Sequence, residues 1–448
     1  MSNECDRRYF IKLGTAIGTG LALGSVNLTG CAPELRGIPG AIRPPKLGDK
    51  TIRVGFVGIG ARGSYLYDVV QSFENVQVSA VCDINPQRTD WARKRAVEKG
   101  RPEPVAYTRG DTDFKRMCEN EDLDLVVTAT PVEWHTPVSV AAMNAGKHVA
   151  PEVPACYTVD EAWSLVEASE KNNRHCYMLE NVCYFREMLM VLNMVRKGLF
   201  GELVHCAGGY QHESRAARFD DNRPWVGEVL TENNGNFYPT HPLGPIAQWM
   251  DINRGDRFDY LVSVSSKAVG LKKYATEHFG VDSAKANRNF RQGDVNTTII
   301  RTVKGQTITL YYDLSLPRPY DLMFRCQGTL GIYMHNMQKI FFEGKSHSWD
   351  PLDKYRQEHE HPLWKKLGPV AQNYGHGGGD YIQFHRLFEA LRTGNAPDMD
   401  VYDAASWSAI CGLTARSVAN RGSSVDIPDF TRDKWKTNTP LGIVEPVI

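Results

Sequence analysis

The chain has 448 residues, with 52 Lys and Arg matched by 52 Asp and Glu and a hydrophobic content of 42%. That length and content build two or three globular domains and exclude a disordered, collagenous or disulfide-stapled chain. Balanced charge without a long basic run excludes the footprint of a protein that tracks nucleic acid, and ten cysteines without a CxxC pair read as free thiols, with no metal site implied.

The first thirty residues stand apart. Arg7-Arg8-Tyr9-Phe10-Ile11-Lys12 precedes an uncharged stretch, Leu13 to Leu28, that is too short to span a bilayer of about 20 residues. A basic n-region followed by such a stretch is the pattern of an export signal. The paired arginines resemble a twin-arginine signal, and Leu28-Thr29-Gly30-Cys31 resembles a lipobox, which makes Cys31 the expected site of lipid attachment and the protein an exported periplasmic or membrane-anchored bacterial lipoprotein. Residues 1–30 are therefore read as signal, and the Pro- and Gly-rich residues 31–50 as a tether.

From Thr51 short apolar runs alternate with amphipathic ones, the order of an α/β domain with a parallel sheet. Strands are expected at Ile52–Val57, Val76–Cys82, Leu123–Ala129, His148–Ala150 and His175–Leu179, and helices at Tyr65–Ser72, Pro86–Lys99, Pro137–Ala145 and Val159–Lys171. The first strand runs into Gly58-Ile59-Gly60-Ala61-Arg62-Gly63, a GxGxxG between strand and helix. Gly58 permits the tight turn, Gly60 the approach of a pyrophosphate and Gly63 close helix–strand packing. Asp83 follows Gly63 by twenty residues, at the end of the second strand, where a carboxylate accepts both hydroxyls of an adenine ribose. Beside a 2′-phosphate it would cost about 4 kcal/mol per unit charge, which selects NAD over NADP.

The second domain is expected over residues 180–372, after an NAD-binding Rossmann domain at 51–179. Its strands Leu203–Tyr210, Tyr260–Lys267, Thr297–Val303 and Gln306–Leu314 alternate as in an open, mostly antiparallel sheet. Residues 373–448 carry helices at Tyr381–Leu391 and Ala404–Asn420 that pack near the domain boundary. The fold class is thus α/β: a Rossmann dinucleotide-binding domain plus an α+β domain. His241, in a Gly-Asn-Phe-Tyr-Pro-Thr-His loop, has the side chain suited to taking and returning a proton near neutral pH. Glu180, at the end of an apolar stretch, sits where α/β folds open onto ligands. Gly375-His376-Gly377-Gly378-Gly379-Asp380 marks a loop-to-helix junction, with His376 read equally as a substrate contact or as packing, and Asp380 as a helix cap.

From Ile52 onward these residues resemble the glucose-fructose oxidoreductase and inositol dehydrogenase superfamily. Two of that superfamily's polar groups are replaced here: Glu152-Val153-Pro154 has valine where a lysine assists hydride transfer, and Phe237 stands where an Asp precedes His241. Val132-Glu133-Trp134-His135, Glu152-Val153, Leu179-Glu180-Asn181-Val182-Cys183-Tyr184, Gly208-Gly209-Tyr210-Gln211-His212, Tyr238-Pro239-Thr240-His241, Met250-Asp251-Ile252-Asn253-Arg254-Gly255 and Arg318-Pro319-Tyr320 together resemble glycoside hydrolase family 109, the NAD-dependent α-N-acetylgalactosaminidases. The resemblance implies NAD contacts from Arg62, Gly63, Asp83, Val132, Glu133, Trp134, His135, Glu152, Val153 and Asn181. It implies a sugar site from Tyr210, Tyr238, Pro239, Thr240, His241 and Tyr320, with His241, Tyr238, Glu180 and Tyr210 in catalysis. One departure bears on substrate choice: Trp225-Val226-Gly227 stands where the family has Trp-Arg-Thr with a substrate-contacting arginine, leaving Arg218 and Arg223 as its neighbours.

The implied reaction oxidises C3 of the sugar, eliminates the C1 substituent after loss of the C2 proton, adds water and reduces C3 again, an exception to the two-carboxylate route of most glycosidases. A base at the C3 hydroxyl, a group for the C2 proton and acid/base help at C1 are needed. Two other functions remain open at this level: an NAD-dependent oxidoreductase releasing a 3-keto sugar, and a non-catalytic sugar-binding lipoprotein. The superfamily resemblance also implies a homo-oligomer formed through the open sheet.

Overall fold

The computed structural model describes residues 42–438 and 442–444; the signal, Cys31 and most of the tether lie outside them. Five strands, β1 (Ile52–Val57), β2 (Val76–Cys82), β3 (Val105–Tyr107), β4 (Leu125–Thr128) and β5 (His148–Pro151), form a parallel sheet in the order β3-β2-β1-β4-β5. Helices α1 (Ala61–Val70), α2 (Pro86–Glu98), α3 (Asp113–Asn120), α4 (His135–Asn144) and α5 (Val159–Asn172) flank it. Covered on both faces, β1 and β4 are almost wholly buried, which is why their sequences are continuous apolar runs. Local chemistry sets the helix starts: Asn85 caps α2 with Pro86 in its first turn, and Thr158 and Glu161 close a capping box on α5.

The chain then runs through α6 (Arg186–Arg196), β6 (Leu203–Gln211), α7 (Trp225–Glu232), α8 (Thr240–Trp249), β7 (Phe258–Ser265), α9 (Gly270–Phe279), β8 (Asn296–Thr302) and β9 (Thr307–Asp313). Short strands β10 (Arg325–Gly328), β11 (Gly331–Met334), β12 (Lys339–Phe342) and β13 (Asp350–Pro351) follow, and β14 (Val425–Asp426) closes the far edge. The nine strands lie in the order β13-β12-β11-β10-β6-β9-β8-β7-β14, antiparallel except for the β6–β9 pair. One face buries Leu261, Ile300, Ile308, Leu310 and Cys206, and the other leaves Val264 and Ile299 exposed. The remaining helices are α10 (Asp353–His359), α11 (Pro362–Ala371), α12 (Gly379–Thr393), α13 (Val401–Ser408) and α14 (Ile410–Ala419).

Four local expectations differ from the structure. Residues 175–179 run parallel to β5 and exchange backbone hydrogen bonds with Val149 and Pro151, but make only one full bridge, Val149 to Cys176, and no strand, because Pro151 has no N–H to extend the ladder. The helix expected over 404–420 is interrupted at Ala409 between α13 and α14. β3 is too short for a periodic signal, whereas α3, also not expected, does carry Phe114, Met117 and Cys118 at helical spacing. The end of the tether packs on the body: Leu47 and Gly48 donate backbone hydrogen bonds to Leu391 and Arg392.

At the base of β5, His148 and His175 stack with ring centroids 5.3 Å apart, both buried. Burial lowers their pKa values to about 3 and about 4 from 6.5. The unfolded chain therefore binds more protons than the folded one between about pH 6.5 and 4, so stability falls as pH drops through that window. His175→Phe keeps the stacked ring and removes one such group. Its Tm should depend less steeply on pH between 6.5 and 4; an unchanged slope would refute the assignment.

Candidate active site

The sheet order reverses direction between β1 and β4, and the crevice above their carboxyl ends is where such folds bind ligands. A cavity of about 720 Å³ opens there, bordered by Gly58, Gly60, Arg62, Asp83, Glu133 and Trp134. Gly58 has φ +85° and its missing Cβ would sit 2.9 Å from the Ala129 backbone. A Cβ on Gly63 would overlap the Gly58 carbonyl, whereas one on Gly60 would meet only Arg88, so Gly60 is the open side of the loop. The Asp83 carboxylate accepts from the backbone N–H of Ile59 (2.7 Å) and of Asn85 (2.8 Å), tying the loop to β2 while keeping lone pairs toward the cavity. The cavity's size, the open glycine and this carboxylate fit NAD. Asn222, Arg223, Trp225 and Val226 from the second domain form the opposite wall. Asp83→Ala should weaken NAD retention roughly 10- to 100-fold, read as NAD content after gel filtration; wild-type retention would refute the ribose assignment.

Not every expected cofactor residue borders this cavity. Val132 and His135 lie outside its lining. His135 is buried, with Nδ1 2.8 Å from the Pro154 carbonyl and Nε2 2.9 Å from that of Thr130, so it fixes the loop after β4. Glu152, Val153 and Asn181 are buried beyond the cavity's lining. Glu152 accepts from Arg62 Nε at 2.7 Å and from the Val153 N–H at 3.1 Å.

A second cleft is aromatic. Tyr210, on β6, stacks on Tyr238 with centroids 4.6 Å apart and meets His241 and Tyr320 edge-on at 5.0 and 6.1 Å. Burial holds the Tyr210 and Tyr238 hydroxyls above their ordinary pKa, so they serve as neutral donors and acceptors, while Tyr320 is half-exposed at the rim. His241 Nδ1 lies 2.7 Å from Glu180 Oε1, and Glu180 is fully buried. The carboxylate accepts, so Nδ1 carries the proton and Nε2 keeps the lone pair of a base. Glycines make this meeting possible: a Cβ on Gly244 of α8 would lie 2.8 Å from Glu180 Cγ, and one on Gly208 of β6 would lie 2.8 Å from Pro242 Cβ. Thr240 is wholly buried and Pro239 shapes the turn into α8, so the structure brings only Tyr238 and His241 of that tetrapeptide to the aromatic cluster. Phe237 packs on Tyr157; the carboxylate partner of His241 comes from Glu180 instead.

Between cavity and cleft lies a node that the sequence reading missed. Asp380, at the start of α12, makes no helix cap. It accepts from Arg62 (2.7 and 3.1 Å), Asn181 Nδ2 (3.0 Å) and His376 Nδ1 (2.8 Å). Burial works to raise its pKa, but the hydrogen bond from His376 and the Arg62 charge hold it at about 2. His376 has φ +52° between glycines and a half-exposed ring. The glycine run was the available signal; its partners were not.

Residues 184–437 match the C-terminal domain of glycosyl hydrolase 109, and residues 52–180 match the NAD-binding Rossmann fold of an oxidoreductase family. A Shewanella protein named glycosyl hydrolase family 109 protein 1 is 42% identical over 99% of both chains. An α-N-acetylgalactosaminidase of Shewanella oneidensis is 40% identical over 99% of both. Among solved structures, levoglucosan dehydrogenase with NADH and L-sorbose superposes with a TM-score of 0.64 at 19% identity, over 85% of this chain and 100% of the other. An inositol dehydrogenase homologue from Azotobacter vinelandii with NADH and myo-inositol gives 0.62 at 18%, over 84% and 98%. Matched by the family along both halves and by relatives along its whole length, the chain belongs to glycosyl hydrolase family 109, a glycoside hydrolase on an NAD-binding oxidoreductase fold.

Proposed function

We propose that this protein hydrolyses α-N-acetylgalactosaminides or closely related glycosides through transient oxidation at C3. The observation that carries the reading is the buried Glu180–His241 pair within the wall of Tyr210, Tyr238 and Tyr320. Bound NAD supplies a reversible hydride acceptor. His241 Nε2 takes the C3 hydroxyl proton and returns it, with Glu180 balancing the imidazolium charge as it forms. Glu180 Oε2 is buried without a donor among the described residues, which supports a contact to a sugar hydroxyl or to the water that adds at C1. Tyr210 and Tyr238 present a stacking face and hydroxyls to the ring. His376, its Nδ1 directed to Asp380 and its ring half-exposed, suits the protonation of the departing C1 oxygen. The name of the Shewanella oneidensis relative supports the sugar.

The test follows aglycone release and NADH together, using aryl α-N-acetylgalactosaminide and the NAD-loaded protein. Aglycone release that requires NAD and accumulates no NADH is the expected result. Stoichiometric NADH without aglycone would replace this reading by a 3-keto-forming oxidoreductase.

The chain is also proposed to be exported by the twin-arginine route and anchored by a lipid on Cys31, a reading supported by Arg7-Arg8 and Leu28-Thr29-Gly30-Cys31. Labelled palmitate should enter the wild type and not Cys31→Ala. The uncovered sheet face with Val264 and Ile299 supports self-association, measurable by light scattering.

A further inference from the structure

Arginines around the two cavities are almost all committed to carboxylates. Arg62 pairs with Glu152 and Asp380, Arg215 with Glu213, Arg223 with Asp220, and Arg318 with Asp313 and Asp321. Arg218 has no carboxylate within 4 Å among the described residues. It sits in a short turn, Ala216–Phe219, whose Phe219 anchors in a separate apolar cluster with Leu230, Leu271, Ala275 and Ala286, so its backbone is held by packing. Its guanidinium donates to two neutral oxygens, the Val226 carbonyl at 3.1 Å and Ser214 Oγ at 3.2 Å. Val226 belongs to the wall of the cofactor cavity. Ser214 follows the end of β6, the strand that brings Tyr210 to the aromatic cluster, so Arg218 bridges the wall of the cofactor cavity and the segment leading from that cluster.

Five N–H donors in a fixed fork, with two neutral partners, leave donors to spare. Nε is shielded from solvent and lacks an acceptor among the described residues. A buried donor left without an acceptor is costly. The nearby Tyr210 and Tyr312, which burial keeps neutral, supply no negative charge to it.

We infer that Arg218 is a specificity-determining residue that binds an oxygen-acceptor substituent of the sugar, either an acetamido carbonyl or a carboxylate. This deepens the proposed function and rests on the aromatic cleft being the sugar site. Turning the guanidinium onto that substituent satisfies Nε and places the charge on the glycoside, away from the reacting hydroxyls handled by His241.

The experiment compares wild type, Arg218→Gln and Arg218→Lys, all NAD-loaded, on aryl α-N-acetylgalactosaminide, α-galacturonide and plain α-galactoside. Calorimetric binding of N-acetylgalactosamine, galacturonate and galactose runs in parallel. The kcat/KM preference of wild type for a substituted over the plain glycoside should collapse by roughly tenfold or more in Arg218→Gln, as for one charge-assisted hydrogen bond, with NAD content unchanged. Arg218→Lys should restore preference if the favoured group is carboxylate and not if it is acetamido, since a point charge cannot replace the fork. An equal loss on all three glycosides, a lost cofactor or an intact preference would overturn the proposal. If no glycoside is cleaved, the glycosidase reading fails separately. Calorimetry then decides: discrimination present in wild type and absent in Arg218→Gln sustains the proposal, while no discrimination, or no sugar binding, overturns it.

Discussion

Replacing His241 with alanine should lower kcat by about 10²- to 10⁴-fold, the usual contribution of a positioned acid or base, while the purified variant keeps its NAD. The separation of effects follows from geometry. His241 and Glu180 form a pair in the aromatic cleft, whereas the glycine loop and Asp83 hold the cofactor from the other side of the crevice. Glu180→Gln should show a loss of the same order, because an amide cannot stabilise an imidazolium at 2.7 Å as a carboxylate does. Two residues acting as one unit give non-additive losses, so Glu180→Gln with His241→Ala should fall within a few-fold of the weaker single variant. Multiplication of the two losses would mean independent roles. Wild-type turnover in either single variant would remove that residue from the mechanism.

This pairing marks where legibility in the sequence stopped. The strand-turn-helix around Gly58 is a local pattern, with apolar run, glycines and helix start following one another, and so was the acid at Asp83. Glu180 and His241 were each visible as candidates from type and setting. Their contact was not, because it joins residues 61 positions apart and depends on α8 being pressed close by Gly208 and Gly244. Asp380 was visible only as a cap for α12. Only His376 among its donors lies in the local Gly375 to Asp380 pattern; Arg62 and Asn181 come from two distant regions of the chain that this pattern does not encode. Arg218 and Arg223 were both legible beside Trp225, but the choice between them was not: only the structure shows Arg223 committed to Asp220, and Arg215 to Glu213. Each missed feature is a choice among several polar partners that the fold makes and composition does not.

Asp380→Ala should cost about 3–5 kcal/mol, because it strips one of two carboxylates from a largely buried guanidinium. Asn181 and His376 lose their acceptor at the same time. The cost should depend on pH in a definite direction. Held at about 2 against an ordinary 3.8, the Asp380 carboxylate stabilises the folded state fully above about pH 4 and loses that contribution as pH falls toward 2. The wild-type advantage over Asp380→Ala, read from urea unfolding, should therefore shrink across that interval. Conversion of the whole ionic node to apolar residues separates stability from function: Arg62→Met, Glu152→Leu and Asp380→Leu together remove every charge at once, so stability should recover much of what Asp380→Ala alone loses. Turnover should not recover, because Arg62 borders the crevice with Glu152 holding it from behind, and His376 would still lack the acceptor for its Nδ1. A triple variant that regains both stability and turnover would make the node a packing device; one that regains stability alone makes Asp380 the residue that couples the cofactor loop to the glycine-rich turn before α12.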